Sequence, residues 1–394
     1  MTDIHSSLAI YSKINFGGIQ MGTGYIFDES YFWHDNGSGT LYLPSGGYMQ
    51  TDVFVEHPET KRRVNNLLAR CGLMKKLEQI EPRSATKEEI EYFHAPEYVE
   101  RVKKLSDTTG GDAGDHAIVG RGSYEIALLS TGGALRAVDA VMEGEVNNVY
   151  AMTRPPGHHA EREKGIGFCI FNNVAIAAQY ARKKYGLKRV LVLDWDVHHG
   201  NGTEQAFYED PNVLFFSIHQ HLSFPNNTGF KEDVGAVAGR GYNVNIPLPP
   251  GTGDAGYVHA FKSIVEPIAA EFKPELVIIS AGQDPGMFDP LGRMMMTAEG
   301  FGQLTDCMLR IADTYCDGKI VFCHEGGYSN AYVPFCTLKI IERLSGIETN
   351  VTDPYASGSQ GYPDKLYPNQ KEAIDEVIEV QQEFWSSLSQ FVSK

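Results

Sequence analysis

Basic residues are scarce in this chain, and they form no block. Its 394 residues include 34 lysines and arginines against 50 aspartates and glutamates, a formal net charge of −16 at pH 7. Because a surface that binds a polyanion needs clustered positive charge, the composition argues against nucleic acid as a partner. The acidic surplus is compatible with a cationic substrate, but solubility alone explains it equally well.

Long apolar runs and paired cysteines are also missing. No segment approaches the roughly 18 apolar residues of a membrane-spanning helix, and the first residues lack the basic and apolar segments of a secretory signal. The cysteines form no CxxC pair, so we expect free thiols in a reducing compartment. These absences predict a cytoplasmic protein without membrane contact. The six cysteines are Cys71, Cys169, Cys307, Cys316, Cys323 and Cys336.

Segments of strand length alternate with segments of helical spacing after residue 57, and no linker divides the chain. This alternation predicts an α/β fold over residues 1–394, with a mostly parallel sheet and helices on both faces. Residues 1–55 lack clear periodicity and are predicted to form a loop-rich N-terminal layer. The candidate strands are 147–153, 189–194, 212–218, 242–248, 275–281 and 319–325. The candidate helices are 57–72, 124–142, 172–185, 254–271, 297–314, 329–345 and, at the C-terminus, 369–391.

Polar side chains follow most of the predicted strands. The run VLVLD (190–194) is typical of a buried parallel strand and leads into Asp196 and His198. Residues two apart in an extended chain point to the same side, so Asp194, Asp196 and His198 should project together. Because ligands bind at the carboxyl ends of parallel strands, we expect the site there.

Asp196 and His198 provide two ligands of a zinc site. A catalytic zinc needs a third protein ligand and leaves one position open. Asp284, directly after the strand 275–281, is the preferred third ligand, and Asp289 is the competing one.

A pair of histidines and a tyrosine supply the remaining chemistry. His158 and His159 could act as acid and base beside the metal, with Asp194 and Asn201 as the partners that orient them. Tyr328, after two glycines, could donate a hydrogen bond to an oxyanion. Together these residues predict metal-assisted hydrolysis of an unactivated carbonyl. The chain has no GxSxG, Walker or GxGxxG motif to support a serine hydrolase, NTPase or dinucleotide site.

With these motifs the chain resembles the zinc-dependent histone deacetylase family, in particular its bacterial class II-type amidohydrolases. RPPGHHA, GFCIFNN, LDWDVHHGNGT, SAGQDPGMFDPLG and EGGYS occur in the order typical of that family. The resemblance covers roughly residues 20–345. It implies the single-domain arginase/deacetylase fold, with about eight strands, and removal of acetyl or other acyl groups from lysine.

The resemblance also implies roles for individual residues and a second kind of ion. Zinc would be bound by Asp196, His198 and Asp284. The substrate-binding residues would be Gly167, Phe168, Phe224 and Leu291. One or two structural potassium ions would occupy an inner site at Asp194, Asp196, His198, Ser217 and Ile218, and an outer site at Phe207, Asp210, Val213 and Tyr242.

Three positions bear on the subtype. Asn201 stands where class I members carry aspartate, which matches class II. Leu291 stands where polyamine-selective relatives carry a glutamate, so it favours acyl-lysine over acetylpolyamine. Gln283 stands where relatives frequently carry an aromatic residue.

Three alternative functions stay open at this point. An acetylpolyamine amidohydrolase is the strongest, with Leu291 as the evidence against it. A binuclear-metal ureohydrolase would need aspartate at position 200, where the chain has Gly200. A non-catalytic acyl-lysine-binding protein usually loses a ligand, a tandem histidine or the tyrosine. The resemblance further implies a homo-oligomer.

Overall fold

An eight-stranded, entirely parallel sheet forms the centre of the computed structural model, which describes residues 22–359 and 361–391. The strands, numbered along the chain, are β1 Thr23–Ile26, β2 Glu78–Ile80, β3 Asn148–Ala151, β4 Val190–Asp194, β5 Val213–Gln220, β6 Asn243–Leu248, β7 Leu276–Ala281 and β8 Ile320–His324. Their order across the sheet is β6-β5-β4-β7-β8-β3-β1-β2.

Helices cover both faces of this sheet. They are α1 Glu59–Cys71, α2 Lys87–Ile90, α3 Pro96–Asp107, α4 Ser123–Met142, α5 Asn173–Tyr185, α6 Asn201–Phe207, α7 Asp254–Ala260, α8 Glu266–Phe272, α9 Ala298–Tyr315, α10 Val333–Ser345 and α11 Pro368–Gln381. A π-helical turn, Phe261–Val265, joins α7 to α8. Three pairs of two-residue strands lie outside the sheet: Ser38–Gly39 with Asp52–Val53, Gly111–Asp112 with Ile118–Val119, and Gly114–Asp115 with Gly165–Ile166.

The central strands separate two apolar cores. On β4, Leu191 and Leu193 belong to one core and Val190 and Val192 to the other, as the two-residue period of a strand requires. Helices α1, α9, α10 and α11 pack on the first face, and α3, α4 and α5 pack on the second. Burial on both faces explains why the sequence of β4 is continuously apolar.

The predicted α/β class is confirmed, and all six predicted strands are present with bounds shifted by only a few residues. The prediction for residues 1–55 needs a correction, because Thr23–Ile26 is a strand of the central sheet. Residues 1–21 lie outside the described residues. The short strand β2 and helices α2, α3 and α6 were not predicted.

Two predicted helices have different bounds in the structure. The helix expected from residue 329 begins at Val333, with Pro334 in its first turn, where the missing N–H costs no hydrogen bond. The helix expected over 369–391 ends at Gln381, and a 3₁₀ turn, Ser386–Gln390, follows it. All six cysteines are free thiols, five of them buried. Among the described residues, no helix combines the length and apolar character needed to cross a membrane.

A buried ion cluster fixes the N-terminal layer against the sheet. Glu56 Oε1 accepts hydrogen bonds from Lys61 Nζ at 3.1 Å and from Arg154 Nε at 3.0 Å, and all three side chains are fully buried. Arg154 also donates to the carbonyl oxygens of Tyr31 and His34. Burial opposes ionisation of Glu56, but its two cationic partners outweigh that effect and hold its pKa well below the usual range.

Replacing Glu56 with glutamine should destabilise the protein. The Glu56→Gln change leaves two buried cations without a counter-charge, and removing one partner of a buried pair costs about 3 kcal/mol or more. The free energy of unfolding in urea measures this loss. Glu372→Gln, on the exposed face of α11, is the control and should change it by less than about 0.5 kcal/mol. Equal stability of the two variants would contradict the role given to the cluster.

Candidate active site

Four adjacent strands bring the candidate residues to one edge of the sheet. Strands β4, β7, β8 and β3 are neighbours in that order, and all four are parallel. Their carboxyl ends therefore meet at the same edge, where ligands of such sheets bind. The loop after β4 carries Asp196 and His198, the loop after β7 carries Asp284, the loop after β8 carries Tyr328, and the loop after β3 carries His158 and His159.

Asp196, His198 and Asp284 form a compact group of potential metal ligands. Their ligand atoms all lie within 4.8 Å of one another, and all three residues are buried. His198 Nδ1 lies 3.1 Å from Asp196 Oδ1 and 3.1 Å from Asp284 Oδ2. Ligand atoms bound at about 2.0 Å to a tetrahedral zinc ion stand about 3.3 Å apart, so these separations fit such an ion.

The electrostatics of this group also fit a cation. Burial and the neighbouring Asp196 carboxylate raise the pKa of Asp284 to about 8, because two adjacent buried carboxylates repel each other. Asp284 Oδ2 receives no well-directed hydrogen bond. A methyl group on Gly326 would lie within 2.6 Å of Oδ2 of both aspartates, so only glycine leaves this space open. The donor set of two carboxylates and one imidazole suits zinc.

Asp289, the competing ligand, has a different position and different partners. It does not belong to the group of potential ligands. Its carboxylate accepts hydrogen bonds from three backbone N–H groups, those of Leu291 at 2.8 Å, Gly292 at 3.2 Å and Tyr328 at 2.7 Å. Asp289 therefore joins the loop after β7 to the loop that carries the tyrosine.

The two tandem histidines have different partners on Nδ1. His158 Nδ1 lies 2.9 Å from Asp194 Oδ2, and His159 Nδ1 lies 2.8 Å from Asn201 Oδ1. Asn201 Nδ2 donates to Glu161 Oε1 at 2.8 Å, which fixes the orientation of the amide. Because Asn201 Oδ1 can only accept, His159 carries its proton on Nδ1 and leaves Nε2 free to take one.

These partners separate the pKa values of the two histidines. Burial lowers the pKa of His158, but the carboxylates of Asp196 and Asp194 outweigh it and raise the value to about 10. Burial and the positive charges of His158 and His198 lower the pKa of His159 well below its usual range. The pair thus holds one histidine that favours the charged form and one that favours the neutral form.

A cavity of about 480 Å³ leads from the surface to these residues. Phe168 and Tyr328 lie on one wall, with ring centroids 5.8 Å apart. Phe224 also lines the cavity, and its ring centroid lies 5.1 Å from that of His159 and 6.2 Å from that of His198. The residues that line the cavity are Tyr42, Asp115, His116, His159, Gly167, Phe168, His198, Leu222, Ser223, Phe224, Asn226, Leu291 and Tyr328.

Glu325 is a site residue to which the sequence pattern assigned no role. Its carboxylate is fully buried and accepts hydrogen bonds from the backbone N–H groups of Gly157 at 2.6 Å and His158 at 3.2 Å. Burial raises its pKa to about 7. The signal available in the sequence was its position, since an acidic residue directly after a buried strand needs a partner. Gln283 is also buried and donates to Ala281 O at 2.6 Å and Tyr150 Oη at 3.2 Å.

The residues assigned to potassium lie on β4 and β5, at the end of α6 and in the loops next to these elements and to β6. Asp194 pairs in register with Ser217 on β5, and Ile218 follows, so the inner set surrounds the ends of β4 and β5. In the outer set, Phe207 O accepts from the N–H of Asp210, and Tyr242 O accepts from the N–H of Phe215. That set lies where α6 leads into β5. The role of both sets in binding potassium stays a prediction.

Comparisons with known proteins agree with this architecture. Residues 55–344 match the histone deacetylase domain family. The chain is 44% identical over 335 residues to the histone deacetylase-like amidohydrolase of Pseudomonas aeruginosa, covering 84% of this chain and 88% of that protein. It is 38% identical over 348 residues to the polyamine deacetylase HDAC10 of Danio rerio, covering 85% of this chain and 49% of that protein.

A solved structure gives the same result for the fold. The crystal structure of the HDA15 HD domain superposes with a TM-score of 0.82 at 32% sequence identity, over 94% of this chain and 97% of that one. The chain therefore belongs to the histone deacetylase family, and its single-domain fold is the arginase/deacetylase fold. Membership of this extent makes it a deacetylase-type hydrolase.

Metal content should separate the roles of the two aspartates in the loop after β7. Asp284→Asn removes a charged group of the candidate metal site. After loading with zinc and dialysis, the variant should therefore retain less than about a tenth of the metal that the parent protein retains. Asp289→Asn is the matched control, because it changes a similarly buried carboxylate in the same loop and should retain the metal. Elemental analysis after dialysis measures both. Loss of zinc in the Asp289 variant alone would reverse the assignment.

Proposed function

We propose that this protein is a zinc-dependent amidohydrolase that removes acetyl or other acyl groups from Nε-acyl-lysine. The observation that carries the proposal is a group of three potential metal ligands at the base of a cavity. One of these ligands, His198, lines the cavity together with His159 and Tyr328. The family membership supports the reaction type, and the relative from Pseudomonas aeruginosa is itself called an amidohydrolase.

Asp196, His198 and Asp284 would hold the zinc ion. When bound, zinc lowers the pKa of a water molecule and polarises an amide carbonyl. Backbone N–H groups of adjacent residues hold two of these ligands in place. Val197 N–H donates to Asp284 Oδ1 at 2.8 Å and Gly326 N–H donates to Asp196 Oδ2 at 2.9 Å, so the backbone orients two of the ligands.

His159 is the proposed general base, because it favours the neutral form and its Nε2 is free. It takes a proton from the attacking water and then returns it to the leaving lysine nitrogen. His158 stays charged through Asp194 and stabilises negative charge near the reacting carbonyl. Asn201 acts by holding His159 in the tautomer that this transfer requires.

Tyr328 is proposed to donate a hydrogen bond from its hydroxyl to the developing oxyanion. Burial and the nearby carboxylates raise its pKa well above the usual range, so the hydroxyl keeps its proton. Phe168 and Phe224 would enclose the aliphatic part of the lysine, and Gly167 would bind a substrate amide. The two potassium sites would stabilise the strand ends around the metal, at the positions given above.

Acyl-lysine is the preferred substrate over acetylpolyamine because of Leu291. This side chain lines the cavity and packs against the cluster of Phe54, Phe168 and Tyr328, so it offers no charge to a second ammonium group. The polyamine alternative has its own support, since a polyamine deacetylase is among the relatives. A ureohydrolase and a non-catalytic binding protein remain the remote alternatives. A cytoplasmic location and a homo-oligomeric state are part of the proposal.

Removal of the tyrosine hydroxyl should slow the reaction strongly. Tyr328→Phe deletes one oxyanion donor, and such a loss lowers kcat by roughly 100- to 1,000-fold. Steady-state kinetics on an acetyl-lysine peptide measures the effect. Tyr48→Phe, which removes a fully exposed hydroxyl, is the matched control and should retain full turnover. Near-normal turnover of the Tyr328 variant would refute the assignment.

Substitution of the rim leucine should distinguish lysine from polyamine substrates. Leu291→Glu introduces a carboxylate that can pair with a distal ammonium, and an ion pair at such a rim changes kcat/KM by about fivefold. The ratio of kcat/KM for N-acetylspermidine to that for an acetyl-lysine peptide should rise in this variant. Leu291→Gln, which has the shape of the glutamate without its charge, should leave the ratio unchanged. A parent protein that already prefers the polyamine would establish the alternative function.

A further inference from the structure

A buried polar cluster lies beside the metal site and has no part in the proposed hydrolysis. It consists of His199, directly after the ligand His198, together with Glu204 on α6 and His219 on β5. Both histidines are only 2% exposed, and their ring centroids lie 4.9 Å apart. Burial of polar groups costs free energy unless hydrogen bonds or ion pairs compensate for it. The contacts of this cluster therefore indicate its role.

Glu204 connects three parts of the fold. Its Oε2 lies 3.3 Å from His199 Nε2 and accepts hydrogen bonds from Asn243 Nδ2 and Asn245 Nδ2, both at 2.7 Å. The same two amides on β6 also donate to carbonyl oxygens of the loop that precedes this strand. Asn245 donates to Phe230 O at 3.3 Å, and Asn243 donates to Asp233 O.

His219 binds the same loop from the other side. Its Nε2 donates to Gly229 O at 2.9 Å, because a carbonyl oxygen can only accept, and its Nδ1 therefore accepts from Ser217 Oγ at 2.9 Å. The loop, residues 221–234, thus has three of its carbonyl groups held by side chains from β5 and β6.

Gly229 packs closely against the rings of both histidines. Its φ is +72°, and a Cβ atom there would lie 2.5 Å from His219 Nε2 and 2.7 Å from His199 Cγ. Any larger residue must displace both rings, so the loop and the histidines fit only as one unit.

The same loop carries Phe224, which forms a wall of the substrate cavity and contacts the rings of His159 and His198. We propose that His199, Glu204 and His219 are positioning residues that set the position of Phe224 in the substrate tunnel. His219 holds Gly229 O, Glu204 orients the Asn243 and Asn245 amides that hold Asp233 O and Phe230 O, and the His199 ring packs against both Glu204 and Gly229. The substrate consequence of this inference rests on the proposed acyl-lysine activity, but the anchoring of the loop does not.

Gly229→Ala tests the unit directly, and Gly186→Ala provides a matched control. Gly186 has φ +71° at the end of α5, and a Cβ atom placed there would have no neighbouring atom within 4 Å. Alanine at this position therefore suffers the same backbone strain without a steric clash. Both variants are compared with the parent protein by amide hydrogen exchange of residues 221–234 and by steady-state kinetics on an acetyl-lysine peptide.

For Gly229→Ala we expect amide exchange in the loop to rise by about tenfold or more, because local opening becomes easier. We also expect KM to rise about tenfold with kcat within about threefold, since the tunnel wall moves while the backbone N–H groups that orient Asp196 and Asp284 keep their contacts. Gly186→Ala should match the parent protein in both measurements. A Gly229 variant that behaves like the Gly186 variant would overturn the inference.

A second variant keeps the test decisive if Gly229→Ala does not fold. Glu204→Gln preserves the shape of the side chain but places an amide N–H donor beside the donors of Asn243 and Asn245. We therefore expect loop exchange and KM to increase as in Gly229→Ala, but by a smaller factor. Unchanged exchange and KM in a folded Glu204→Gln protein would also overturn the inference. If the parent protein cleaves no acyl-lysine, the proposed function fails, and the exchange data alone decide whether the loop is anchored as proposed.

Discussion

The constraint on which this structure depends is the concentration of buried carboxylates at one edge of the sheet. Asp194, Asp196, Asp284 and Glu325 are all fully buried within adjacent strand ends. Isolated negative charges cannot remain ionised in such a place, so each one needs a cation, an imidazolium or backbone N–H donors. Each carboxylate is stabilised in a different way, and this gives each a different role. Asp196 and Asp284 are candidate metal ligands, Asp194 pairs with His158, and Glu325 binds backbone N–H groups.

The sequence predicted a strand correctly wherever its pattern of apolar residues matches the burial of that strand in the fold. The continuous apolar runs of β4 and β7 predicted buried parallel strands because both of their faces are covered. The pattern failed for Thr23–Ile26 and Glu78–Ile80, which contain only four and three residues, too few for a period to emerge. These strands exist because their neighbours in the sheet offer hydrogen bonds, and a single sequence does not display its neighbours.

The candidate site could be located from the sequence but not completed. The positions of the predicted strand ends and the spacing of Asp196 and His198 predicted that the ligands and the tandem histidines lie close together. The family resemblance added roles for the substrate-binding and potassium-binding residues. The partners that tune them are separated by long stretches of chain: the amide groups clamped by Glu325 lie 168 and 167 residues away from it. No local spacing rule links such positions, so the partners of Glu325 and those of Glu56 could be identified only from the structure.

The order of strands in the sheet has a consequence for the timing of assembly. The contacts that shape the site join residues 87 and 130 positions apart, as between Val197 and Asp284 and between Asp196 and Gly326. Contacts of such sequence separation form only after large loops have closed, and their entropy cost is paid before any stabilisation is gained. We therefore expect the chain to acquire its ligand geometry at a late stage of folding, after the four central strands have paired. A nascent chain that lacks β8 has Asp196, His198 and Asp284 but not the Gly326 N–H group that orients Asp196.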